Sequence, residues 1–126
     1  SRIEGTEDMI GKTVWAIGDG YMNSTANGKF ESHEALCVLN VSGVTAHIKI
    51  TIYFADREPI TGFTAECGNN RTNHIRLDWI KNPIGETVPH DTPYAALLES
   101  DTPIVVQHSR MDVSQPEMTL MTTIAY

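Results

Sequence analysis

Over residues 46–54, the apolar side chains Ile48, Ile50, Ile52 and Phe54 alternate with His47, Lys49, Thr51 and Tyr53. A period of two places one set on a single face, which predicts a half-buried strand. Runs rich in β-branched and aromatic residues at 13–17, 36–41, 63–67, 72–77, 104–107 and 118–125 predict further strands. Turn residues separate these runs: Gly18-Asp19-Gly20, Asn27-Gly28, Ser42-Gly43, Pro59 with Gly62, Gly68-Asn69-Asn70, and Asn82-Pro83 with Gly85. The Gly18–Gly20 pair lacks the third glycine and the following helix of a dinucleotide loop, so it reads as a turn between strands. One short helix is predicted over 93–99, with Thr92 as its N-cap, Pro93 in the first helical position, and Tyr94, Leu97 and Leu98 on one face. The expected architecture is all-β: a β-sandwich of about seven to eight strands, mainly antiparallel, closed at one end by that helix.

Composition narrows the class without changing the architecture. A chain of 126 residues, 40% hydrophobic and 20% charged, suits one domain with one core. Residues 1–8 are polar and precede Met9, so they read as a leader foreign to the native chain, leaving 9–126 as the domain. No stretch approaches the ~20 apolar residues of a membrane helix. The N-terminus also lacks the charged and apolar regions of a secretory signal. No membrane insertion and a cytoplasmic location are therefore expected. The net charge is −7, and without residues 1–8 it is still −5, from 8 basic and 13 acidic groups. Such acidity repels a phosphate backbone at long range and disfavours nucleic acid as a partner.

Cys37 and Cys67 have no CxxC spacing and are expected to be reduced thiols rather than zinc ligands or a redox pair. The sequons at Asn23, Asn40 and Asn70 would matter only in a secreted protein and carry no weight here.

The chemistry-bearing motifs point away from catalysis. There is no nucleophile elbow, phosphate-binding loop or HExxH helix, so no catalytic residue is assigned and the chain is not expected to be an enzyme. The five histidines never fall in an HxH or HxxxH pair, so no metal ligands and no cofactor are predicted. A metal-dependent enzyme would need the fold to assemble its ligands and stands as a remote alternative. The strongest polar group is Gln107-His108-Ser109-Arg110-Met111-Asp112, where extended backbone would put His108, Arg110 and Asp112 on one face. Arg110 could grip a carboxylate or phosphate of a ligand or partner. The simpler reading is an internal Arg110–Asp112 pair that fastens a loop. His33-Glu34 and His90-Asp91 could add to a binding rim or serve as caps and turns. Trp15 and Tyr21, flanking the first predicted turn, could be core and rim aromatics, or could stack on a sugar or a protein partner.

Several stretches together resemble the family of the Anabaena sensory rhodopsin transducer. They are Trp15-Ala16-Ile17 with Gly20-Tyr21, Ser32-His33-Glu34, Cys37-Val38-Leu39-Asn40, the strand from Ala46 to Tyr53, and Asp56 with Glu58-Pro59. Downstream they continue with Arg71-Thr72, His74-Ile75-Arg76, Pro89-His90-Asp91-Thr92, the run from Pro103 to His108, Arg110, Asp112 and Thr123-Ile124-Ala125-Tyr126. The resemblance implies a β-sandwich protomer that assembles as a homotetramer and works as a cytoplasmic signalling module rather than an enzyme. In the founding member the implied partner is a membrane photoreceptor of the rhodopsin type. Binding of a small polar ligand, such as a carbohydrate, is the wider expectation for the family. DNA binding by a transcriptional regulator is the alternative, which the acidity of this chain disfavours.

Overall fold

A computed structural model describes residues 10–24, 32–112 and 119–126, with backbone alone at 112 and 119–124. Among them run seven strands: β1 (Lys12–Gly20), β2 (His33–Asn40), β3 (Ala46–Tyr53), β4 (Ile60–Cys67), β5 (Arg71–Arg76), β6 (Tyr94–Asp112) and β7 (Thr119–Ile124). All pairings are antiparallel. The expected all-β sandwich is therefore present, at the lower end of the expected strand count. The turn predicted at Asn27-Gly28 and the leader at 1–8 lie outside the described residues.

The expected helix is not there. Residues 94–99 open a 19-residue strand, β6, in which Tyr94, Ala96 and Leu98 are buried and alternate with less buried Ala95, Leu97 and Glu99. Helical and strand patterns coincide over so short an apolar run, and the decision is tertiary. This stretch pairs with β1 on one side and β3 on the other, Leu98 standing opposite both Trp15 and Ile50. A helix there would leave both neighbours without ladder partners.

The long strand organises the molecule. Its first part joins β1, β3 and β4 in one lobe of the sheet; its second part joins β7, β2 and β5 in the other. The handover is marked by a register shift. Lys12 pairs with Ile104 while Val14 pairs with Glu99, so β6 carries extra residues around Ser100–Pro103. Such an insertion bends a strand, and Pro103 removes an amide donor where the ladder is broken anyway. The β3 amide left at the break, that of His47, donates instead to the Asp101 carboxylate at 2.8 Å. Folded over this corner, the lobes share one core: Leu36, Val38 and Ile75 from one, and Ile48, Ile50, Ile52, Phe63 and Leu98 from the other.

A second correction concerns the Gly18–Gly20 turn. These residues continue β1, with a one-residue bulge between Ile17 and Gly20 opposite Ala96 and Tyr94. Gly20 is required by close approach, because a Cβ there would lie 2.4 Å from the Tyr94 ring.

Candidate functional site

Glu34 lies on the inward face of β2, in line with Leu36 and Val38, at a position where alternation calls for an apolar residue. It is fully buried, and a buried carboxylate persists only if it is hydrogen-bonded and paired. Four donors converge on it. Oε1 accepts from the Tyr94 hydroxyl and lies 2.9 Å from His108 Nε2. Oε2 accepts from the Tyr21 amide at 2.9 Å and from Arg110 Nε at 2.7 Å. An ionised Glu34 requires His108 Nε2 to carry its proton. Arg110 Nη2 in turn donates to the Asp19 carbonyl at 2.9 Å and lies 3.8 Å from the Asp19 carboxylate. The cluster thus ties the end of β1, β2 and both ends of β6 together.

Burial alone would push the Glu34 carboxyl up, but the hydrogen bonds from His108, Tyr94 and the Tyr21 amide outweigh it and hold the group below its ordinary value. For Arg110, burial would lower the guanidinium, and the Glu34 charge reverses that, leaving it raised. Burial, then the Glu34 charge beside it, raises the Tyr94 phenol, which stays a hydroxyl donor.

The sequence-predicted residues separate into three groups. Glu34, His108, Arg110 and the Tyr21 amide are brought together. Arg110 pairs with Glu34 and Asp19, residues distant in sequence; the side chain of Asp112, the other member of the anticipated latch, lies outside the described residues. His33 faces outward from β2, opposite Met111. His90 is exposed, and Asp91 holds the segment after β1, its carboxylate accepting from the Ser24 amide at 2.9 Å while its own amide donates to the Met22 carbonyl at 2.7 Å. Trp15 is a packing strut, its indole N–H shared between the Lys12 and Ile104 carbonyls at 2.9 Å each. Sequence reasoning missed Tyr94, which was given to a helix, and Asp19, which was given to a turn.

Glu34 cannot itself meet a guest, since all its lone pairs are engaged. The accessible part of the cluster is Arg110, whose side chain is 24% exposed. It lines a small cleft of about 60 Å³ with Tyr21, Asn23, Ser32 and Met111. A larger groove of about 760 Å³ lies elsewhere, on the outer face of β3, β4 and β6. There His47 sits between Asp101 (2.7 Å) and Glu66 (3.5 Å), with side chains 55–69% exposed. Contacts of that kind in open solvent contribute little, and the groove reads as a solvated sheet face. Among the described residues, no three His, Cys, Asp or Glu side chains are grouped to hold a metal ion. Cys37 and Cys67 are free thiols. No helix among the described residues is long and apolar enough to cross a membrane.

Comparison with known proteins places the chain in a family. Residues 10–126 match the family model described as Anabaena sensory rhodopsin transducer. The crystal structure of Thermotoga maritima 1070 is 38% identical and superposes with a TM-score of 0.83, over 94% of this chain and 96% of that one. The Anabaena sensory rhodopsin transducer is 42% identical, with a TM-score of 0.73 over 82% of this chain and 90% of its own. Among curated proteins no match is found. With a family model covering nearly its whole described length, the chain belongs to the Anabaena sensory rhodopsin transducer family.

Proposed function

We propose that this protein is a signalling adaptor that recognises a partner or a small polar ligand through the face made by Arg110 and Tyr21. Family membership implies the transducer-like role. One observation supports the site: Arg110 is anchored from behind by a saturated buried carboxylate, yet its side chain is partly exposed and lines a cleft. A salt bridge serving the fold alone has no need of such a cleft. In this reading the domain spans 9–126, acts in the cytoplasm as a homo-oligomer, expected to be a tetramer, and performs no chemistry of its own. A rhodopsin-type receptor is the partner named for the Anabaena relative; here a receptor of any kind is the proposal.

The test uses the Tyr21 ring, because its removal leaves the Tyr21 amide bond to Glu34 in place. Affinity for a partner captured from the native organism is measured with Tyr21→Ala and Arg110→Ala, alongside thermal unfolding. Loss of about 2–5 kcal/mol of binding is expected for Arg110→Ala, with a smaller loss for Tyr21→Ala at unchanged stability. Unaltered affinity in both variants would sink the site.

A further inference from the structure

We infer that the cleft beside Arg110 receives a neutral hydrogen-bond acceptor, the amide carbonyl of a peptide segment, rather than an anion or a sugar. The inference rests on the site proposed above and specifies what that site takes.

Size is the first argument. About 60 Å³ is space for a few waters at most. Sites that enclose whole small molecules run to roughly 300–1,000 Å³. The cleft can enclose one carbonyl or carboxyl group but not a whole sugar ring or nucleotide.

Charge then separates those two. The positive charge of Arg110 is already met by buried Glu34 at 2.7 Å, and the Asp19 carboxylate lies 3.8 Å away on the open side. An incoming anion would find the guanidinium already paired with Glu34 and would meet a screened repulsion from Asp19, so its attraction is weakened. A neutral acceptor escapes that repulsion.

The donor is also identified. Nε is committed to Glu34 and Nη2 to the Asp19 carbonyl, so among the described residues Nη1 is the guanidinium nitrogen without a hydrogen bond. Glu34 fixes the plane of the fork and thereby the direction of the remaining N–H groups. Tyr21 and Met111, two residues with largely apolar side chains, are among the lining of the cleft, which suits the carbon atoms flanking an amide.

The test is a titration of the full ¹⁵N-labelled chain with N-methylacetamide, sodium acetate and glucose, followed at the Tyr21, Asn23 and Met111 amides and at Arg110 Nε. Saturable shifts with N-methylacetamide are expected, weaker ones with acetate and none with glucose. The N-methylacetamide shifts should vanish in Asn23→Phe, which adds bulk at the lining of the cleft, and weaken in Arg110→Lys, which loses the fork. Acetate binding as strongly as the amide, glucose binding at these residues, or no response to any probe would each overturn the inference. If the probes fail while Tyr21→Ala still weakens partner binding, the acceptor chemistry is wrong and the site itself stands.

Discussion

At the scale of single residues, the polar cluster is an arrangement in which each group is needed by the next. Tyr94→Phe removes one donor from a buried carboxylate and leaves its shape intact. A cost of about 1–3 kcal/mol is expected, the penalty of a buried acceptor losing a partner, read as a lowered midpoint in urea with unchanged slope. The pH dependence follows from Glu34, whose folded-state carboxyl lies below its ordinary value of 4.5. A depressed acid stabilises the fold above its unfolded value, and that stability is lost as pH falls through the folded value. Unfolding free energy should therefore drop below about pH 4.5, and Glu34→Gln should flatten part of that slope. An identical acid profile in the variant would assign the drop to other carboxylates.

These residues also show what could be read from sequence. His108 and Arg110 were legible as a pair because alternation along one strand is a local property. Glu34 was a candidate for the same site, but its direct pairing with them was not legible, because it lies 74 and 76 positions away. Its presence on an inward face was the available signal: a carboxylate in phase with Leu36 and Val38 must have donors somewhere in the fold. Asn40 behaves alike, buried in the same phase and bonding the Val44 and Cys67 carbonyls at 2.7 and 2.8 Å. That burial makes its sequon a structural coincidence.

At the scale of elements, the strands were largely evident because their period of two is strong, and β3 matches the expected residues almost to the end. β6 was read as a short strand and a helix because Pro93 immediately precedes it and Pro103 lies in its middle, and both look like boundaries. The two readings make opposite predictions for neighbouring leucines. On a helix face Leu97 and Leu98 would count alike; in β6, Leu98 is fully buried while Leu97 is only partly so. Leu98→Ala is expected to cost about 2–5 kcal/mol, and Leu97→Ala about 1 kcal/mol or less. Equal losses in chemical denaturation would contradict the strand.

At the scale of the whole molecule, both lobes hang on one strand and one core, so they should unfold together. The two tryptophans report on this separately: Trp15 lies in β1, and Trp79 follows β5, its ring 3.9 Å from the Arg76 guanidinium. With 5-fluorotryptophan incorporated, the two ¹⁹F resonances should disappear at a single denaturant midpoint. Two midpoints would mean that the lobes are separate cooperative units.

The meeting of Tyr94 and Arg110 on one carboxylate has a kinetic consequence. They stand near the two ends of β6, and a strand of that length would hold them roughly 50 Å apart if straight. Their donors can reach Glu34 only after the corner at Ser100–Pro103 has bent and both lobes have closed over the core. The clasp is therefore assembled late and broken early, so it acts chiefly on the rate at which the native state opens. In stopped-flow experiments Glu34→Gln should accelerate unfolding far more than it slows folding, which makes the buried carboxylate a brake on opening more than a guide to folding.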